Sequence, residues 1–422
     1  LGARNPLPAI SSHWGQVESK TVSLITAAPI FVIGFLSGIP VRGIGKLYLG
    51  ELILVAVAPI AAALLFGIKG KYGQTARFLF IMMLISLFGY VGSDFYRGTA
   101  SHDYLRGWSR WIFTASSFAS LAWLGSRNIL YFLIFTIGWS AGMCVSPYLI
   151  GAAVSFKYVW KFYAAIPCCI MMHFVLRKYP ASLTVLATIG FAGLSAALDY
   201  RTPALICAVI AGICVLAIRN RRRLAKGKQA SRSAVISALL LIFTFGATSY
   251  FAIQYVGEKY GYAERFKNSN ARRMANIQIA YEAISRSPLL GYGSWPRDPE
   301  FARMRDRLAE KKIGGNVVRG DIQKDLIITH SQVLQSWVEG GVLGLSFFAI
   351  FGLFMARAVL WQAYEGPYFE YTGIMVTIIL FNCWHFFFSP FSAESRIFAP
   401  IACVCVSYLL QMKQDARARL AA

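Results

Sequence analysis

Acidic side chains are scarce in this sequence. The 422-residue chain carries 19 Asp and Glu against 42 Lys and Arg, and charged residues of every kind make up only 14% of it. No Asp-x-Asp pair or other outward cluster of carboxylates is there to hold a metal ion. The eight cysteines (Cys144, Cys168, Cys169, Cys207, Cys214, Cys383, Cys403 and Cys405) all fall in apolar runs. That excludes a disulfide framework and any zinc-ligand spacing, and leaves them as small core residues. No cleavable leader is evident, so the first apolar run is expected to be a first span. The shortage of acids leaves a net charge of +23, an excess that can signal nucleic acid. Much of it lies in short loops between apolar runs, where the positive-inside bias and anionic headgroups account for it. The expected partner is therefore membrane lipid and not nucleic acid.

What the chain has in quantity is apolar residues, 57% of the total, in runs near the length that crosses a bilayer. The reading is an all-α polytopic membrane protein with about twelve spans by window length. They fall near 22–40, 48–68, 77–93, 108–125, 129–151, 158–176, 181–198, 202–219, 234–256, 331–356, 368–388 and 396–412. Gly34, Pro59, Pro147 and Pro167 lie inside spans and are tolerated, because neighbouring helices satisfy the freed backbone groups. The strongest basic cluster, Arg219 and Arg221 to Arg223 with Lys226, Lys228 and Arg232, follows the eighth span. It shares a side with Lys413, Arg417 and Arg419 of the tail, and that side is expected to be cytoplasmic. The division is 1–256 for the first nine spans, 257–329 for an outer, periplasmic loop, and 330–422 for the last three spans and a tail.

The loop is the one long polar interval. Ser269 or Asn270 can cap a helix that ends near Arg286, just before Pro288. Met274, Ile277, Tyr281 and Ile284 form an apolar stripe at helical spacing, and Arg273 falls on it while Arg272 points elsewhere. Pro288 to Gly293 reads as a tight turn. Arg297 to Lys312 reads as a charged helix with Phe301, Met304 and Leu308 on one side, and Gly314-Gly315 could let it move as a flap. Its acids (Asp298, Glu300, Asp306 and Glu310) are interleaved with arginines and read as solvated partners. Of the five histidines, His13 and His102 lie in polar flanks, and His173 and His385 sit inside spans as packed polar residues. His330 stands alone at a helix start after a basic loop.

From His330 the residues run H-S-Q-V-L-Q-S-W-V-E-G-G-V-L-G. The spacing of His330, Leu334, Glu339, Gly341 and Gly344 resembles the signature of the O-antigen ligase and polymerase superfamily, with Ser331 where Asn is usual. Arg273, fifteen residues before Pro288, and the run P-L-L-G-Y-G resemble its other half. The chain resembles the lipopolysaccharide O-antigen ligases most closely. The resemblance implies a GT-C-type glycosyltransferase of the Gram-negative inner membrane, its site facing the periplasm. Such an enzyme moves O-antigen from undecaprenyl pyrophosphate to a sugar hydroxyl of lipid A–core, with no cofactor, no nucleotide sugar and no metal. An O-antigen polymerase or protein O-oligosaccharyltransferase shares that donor. A lipid-linked glycan flippase, the reading from another class, would favour charges near mid-membrane and internal repeats, which are not apparent.

The residues suit that chemistry. The leaving pyrophosphate gathers negative charge, and arginine forks bind phosphate oxygens bidentately and stay charged. The attacking hydroxyl needs a base, and imidazole suits near-neutral pH. His330 is the expected base. Arg265, Arg273 and Arg201 are the expected pyrophosphate ligands, with Arg42 and Arg319 as secondary candidates. Arg201 lies in the short outer turn Asp199 to Pro203, where related ligases carry an arginine; a salt bridge with Asp199 or snorkelling is its alternative. Glu339, nine residues past His330, is out of phase to orient the imidazole. It is expected to pair with a cation or polar group from another helix, or to fix packing at Gly340, Gly341 and Gly344.

Overall fold

The structure, a computed structural model, describes residues 23–43, 45–153, 155–198, 200–224, 226, 263–313 and 325–421. The chain begins with α1 (Leu24–Leu36) and an antiparallel hairpin of β1 (Pro40–Gly43) and β2 (Gly45–Tyr48), which the hydropathy pattern did not suggest. Then come α2 (Leu49–Gly67), α3 (Gly70–Arg97), α4 (Ser101–Arg127), α5 (Ile129–Leu149) and α6 (Phe156–Leu176), the last with a π-helical turn over Trp160–Ala164. α7 (Ala181–Ala197) and α8 (Arg201–Leu224) follow. After the undescribed stretch come α9 (Ala263–Arg286), α10 (Pro299–Ile313), α11 (Gln332–Tyr364), α12 (Thr372–Phe388) and α13 (Ser395–Ala421).

Eleven of the twelve expected span ranges fall on these helices; the range 234–256 lies outside the described residues. Among the described residues, seven helices (α2, α3, α5, α6, α8, α11 and α13) are long and apolar enough to cross a membrane, and α1, α7 and α12 are shorter apolar helices. The chain is an all-α polytopic membrane protein, with one small hairpin among the described residues. Local chemistry sets several of the helix ends. Asn128 accepts the Leu130 N–H at 2.9 Å to start α5. Gly98, at φ 61°, takes the left-handed turn that ends α3.

Small residues let the helices approach closely. A side chain at Gly34, Gly138 or Gly142 would collide with backbone across the α1–α5 contact, and one at Gly89 would meet the backbone of Gly340 and Gly344 across α3–α11. Trp111 on α4 sits at the centre of the bundle. Its ring meets Tyr90 of α3, Phe347 and Phe348 of α11, and Phe391, all within 5.4–5.8 Å. His173 is buried against Gly373 and lies 3.4 Å from the Thr188 hydroxyl, a packed polar residue.

A second, smaller core joins the polar interval to the bundle. Ile279, Ala280, Ala283 and Ile284 of α9, Phe301 of α10, Ile327 of the segment before α11, and Val338 of α11 pack together, with Tyr292, Met304, Leu308, Leu334 and Trp337 against them. This corrects the expected phase of α9. Its buried face is Ala271, Ala275, Asn276, Ile279, Ala280, Ala283 and Ile284, while Met274 and Tyr281 are exposed. The helix also starts at Ala263, so Ser269 and Asn270 lie within it and not at its start. Arg273 is therefore exposed and does not lie on a buried stripe. Alanines, which the apolar stripe passed over, pack against the neighbouring helices because they admit close approach.

Candidate active site

The site is built where α9, α10 and the starts of α4 and α11 meet, termed the loop face below. A short extended segment leads into it. Its backbone is held by Asp298 N–H to Asp325 O at 2.7 Å and Ile327 N–H to Pro296 O at 3.0 Å, and Arg305 Nη1 donates to Leu326 O at 3.0 Å. Thr329 and Ser331 are buried, and His330 between them is half-buried. Ser331 then caps α11. Its backbone is extended and its hydroxyl accepts the Leu334 N–H at 3.3 Å, while also donating to Phe386 O at 3.2 Å. Serine and asparagine cap helices about equally well, so Ser331 performs in this chain a task that either residue can do.

Burial, and secondly the charge of Arg273, hold the His330 imidazole below the ordinary histidine pKa. The structure thus brings Arg273 within electrostatic reach of His330. Arg265 lies in the first turns of α9, about two turns or roughly 12 Å before Arg273 along the helix; its side chain is outside the description. Arg201 is the first residue of α8 and is half-buried. Asn220 Nδ2 near the end of α8 donates to Ala363 O and Tyr364 O, so the end of α8 meets the end of α11. Of the secondary candidates, Arg42 lies on β1 with its side chain undescribed, and Arg319, like Asp199 and Gly314-Gly315, lies outside the described residues.

The two halves of the signature interlock. α11 is broken at Gly341, whose φ of 62° and ψ of −158° suit only glycine. The break frees backbone groups on both sides, and the turn before α10 satisfies them. Tyr292 N–H donates to Val338 O at 2.8 Å, Gly293 N–H to Glu339 O at 3.0 Å, and Val342 N–H to Leu289 O at 3.2 Å. Trp337 Nε1 adds a bond to Pro288 O at 2.9 Å. A side chain on Gly341 would stand 2.0 Å from Leu289 O, and one on Gly291, at φ 71°, 2.7 Å from both Gly341 N and Val338 O. The spacing of E-G-G and P-L-L-G-Y-G is thus a requirement of backbone contact between them.

Charged groups lock this junction to the bundle, and several were not singled out from the sequence. Arg110 of α4 donates to Glu339 Oε2 at 2.7 Å with both side chains buried, and Gln335 Nε2 donates to Oε1 at 3.0 Å. Glu339 therefore pairs with a cation from another helix. Trp295, held at φ 51°, and Phe391 lie 5.4 and 5.3 Å from the Arg110 guanidinium. Asp94, at the end of α3, accepts from Ser294 N–H at 2.6 Å, from the Ser294 hydroxyl at 2.7 Å and from Trp108 Nε1 at 2.8 Å. Arg97 donates to Gly291 O at 2.9 Å and Ser287 Oγ at 2.7 Å.

The far side of the α11 start is fixed in the same way. Gln332 Nε2 donates to Ser395 Oγ at 2.9 Å, and Gln335 Oε1 accepts the Phe391 N–H at 2.8 Å. Arg396 forks onto both oxygens of the buried Glu51 at 2.8 Å each and onto Lys46 O at 2.6 Å, and Lys46 pairs with Glu394. The signal for Arg110 was available: an arginine inside an expected span calls for an acidic partner.

The acids of α10 are only partly solvated partners. Asp298 caps the helix by accepting the Glu300 N–H at 2.8 Å, and Glu300 accepts from Arg286 at 3.1 Å. Among the described residues no three His, Cys, Asp or Glu side chains gather in a way that could hold a metal ion. The arrangement offers one imidazole biased toward its neutral form, beside exposed arginine.

Compared with known families, the chain matches the one described as O-antigen ligase over residues 186–349. Arg201, Arg265, Arg273, His330 and the whole interlocked junction lie inside that range. No curated protein matches the chain.

Proposed function

We propose that this chain, a member of the O-antigen ligase family, is a GT-C-type transferase that moves O-antigen from undecaprenyl pyrophosphate to a sugar hydroxyl of lipid A–core. His330 takes the proton of the attacking hydroxyl. The hydroxyl oxygen bonds to the anomeric carbon as that carbon's bond to the pyrophosphate oxygen breaks. Arg273, Arg265 and Arg201 receive the negative charge that gathers on the leaving pyrophosphate, so no metal ion is needed. The loop face is then periplasmic, in the inner membrane, with 257–329 as the outer loop.

The observation that carries this reading is that the half-buried His330 imidazole lies within electrostatic reach of Arg273. A base must be neutral to act, and burial and Arg273 both favour the neutral imidazole. Pyrophosphate bound to Arg273 would offset that cation, so the imidazole becomes the stronger base when the donor is in place. Proton acceptance is thereby tied to donor binding.

The test is transfer by the purified protein in liposomes supplied with undecaprenyl-pyrophosphate glycan and lipid A–core, with and without EDTA. Glycosylated lipid A–core in both conditions is the expected result. Lengthened lipid-linked glycan with no modified core would mark a polymerase instead. Activity lost on chelation and restored by Mg²⁺ or Mn²⁺ would overturn the arginine mechanism while leaving the transfer itself standing.

A further inference from the structure

The interlocked turn has two side chains that its backbone role does not explain. In P-L-L-G-Y-G the glycines and main-chain groups fit the break in α11, yet Leu289 and Leu290 point away from the protein, 69% and 42% exposed. They do not stand alone. Leu289 O is bonded to Val342 N, and Val342 and Leu343, 45% and 49% exposed, open the apolar part of α11, one of the helices fit to cross a membrane. Phe95 and Tyr96, still more exposed, lie on the last turn of α3, whose Arg97 donates to Gly291 O of the same turn. The six residues belong to three segments tied by hydrogen bonds, with Leu343 packed beside Gly89 of α3 and Phe95 and Tyr96 about two turns further along that helix toward the loop face. Polar groups rim the turn on the loop side. Arg97 lies 4.8 Å from the Tyr292 ring, and Arg286 stands just before the turn with Glu282 and Glu300. Exposed apolar side chains with arginine and tyrosine immediately above them are the arrangement found where a protein passes from hydrocarbon to headgroups.

We infer that the Ser287–Gly291 turn is a lipid-seated wedge: Leu289 and Leu290 lie among phospholipid acyl chains, continuous with the lipid-facing flank of α11 at Val342 and Leu343. The segment that carries α9 and α10 is then anchored to the bilayer at the break in α11, and the height of Arg273 over the membrane is set by that anchor. The occupant is the acyl region of ordinary phospholipid. The surface is continuous with a helix flank that is itself suited to lipid, and the guanidinium of Arg97 stands where a phosphate headgroup would lie. This inference does not depend on the proposed transfer reaction.

The test uses the unaltered chain. Purified protein is reconstituted in phosphatidylethanolamine–phosphatidylglycerol vesicles containing a phospholipid with a diazirine on its acyl chain, irradiated, and mapped by peptide mass spectrometry. Adducts at Leu289 and Leu290, with a yield close to that at Val342 and Leu343, are expected. Arg303 and Arg307, exposed on α10, should carry none. Labelling of Val342 and Leu343 with none at Leu289 or Leu290 would overturn the inference. So would labelling of the two leucines by a diazirine polyprenyl phosphate but not by the phospholipid, since that would make the surface a seat for the donor's tail.

Discussion

Replacing Arg110 by methionine keeps the volume and removes the charge that faces Glu339. Both side chains are about 95% buried and joined at 2.7 Å, so the carboxylate would be left to neutral donors such as Gln335. Breaking a buried pair by removing one partner costs about 3–5 kcal/mol, because the remaining charge is stranded away from water. Loss of the cation–π contacts to Trp295 and Phe391 adds about 0.5–2 kcal/mol. Arg110→Met should therefore destabilise the folded protein by about 4 kcal/mol, and Glu339→Gln by a similar amount through the opposite stranded charge. The double variant removes both charges and leaves Gln335 an amide to bond, so it should lie within about 1–2 kcal/mol of the natural chain. The assay is a denaturant titration in mixed micelles, read by fluorescence and by circular dichroism, with stability taken where the two transitions coincide. The cycle should show a coupling of at least about 2 kcal/mol. A cost below about 1 kcal/mol for Arg110→Met, or a double variant whose cost equals the sum of the singles, would show that the pair does not hold the junction.

Gly341→Ala should cost at least about 1–3 kcal/mol in the same titration, from its φ of 62° alone, and more from contact with Leu289 O. Gly92→Ala, where nothing lies within 4 Å, should be nearly silent. Arg265→Ala and Arg273→Ala should raise the KM for donor more than for acceptor, with lysine rescuing only in part and Arg272→Ala close to the natural chain; a silent Arg273→Ala would remove it from the pyrophosphate site. The pH profile carries a sign. His330 must be neutral, and its pKa in the free protein lies below the ordinary value, so the acid limb of kcat/KM should lie below the ordinary histidine pKa. Removing Arg273 relieves one of the two lowering influences, so the acid limb of kcat/KM in Arg273→Ala should move to higher pH. An unchanged or lower limb would contradict the coupling. In the natural chain the acid limb of kcat should lie above that of kcat/KM, because bound pyrophosphate offsets Arg273 in the complex.

Much of the helical frame could be read from hydropathy, because long apolar runs have few alternatives. The phase of α9 could not. Large apolar residues drew the eye to Met274 and Tyr281, whereas the helix packs on Ala271, Ala275, Ala280 and Ala283, and small side chains carry little weight in an apolar stripe. The sequence implied that Glu339 has a partner without naming it, since α4 and α11 are over two hundred residues apart in the chain. The interlock of Gly341 with the Pro288–Gly293 turn was visible only as two motifs. That one supplies the hydrogen bonds the other leaves open is a fact of backbone geometry, and residue types alone do not state it. The 40–48 hairpin was missed because it is short and lies beside a span boundary.

The most direct measurement is the reconstituted transfer reaction with purified His330→Ala, compared with the natural chain at matched amounts of folded protein. Ser331 caps α11 whatever residue precedes it, and His330 is only half-buried, so the variant should unfold at nearly the same denaturant concentration as the natural chain. It should still bind undecaprenyl-pyrophosphate glycan, and it should give no glycosylated lipid A–core at any pH near neutrality. Near-normal product from the folded variant would contradict the assignment of His330 as the base.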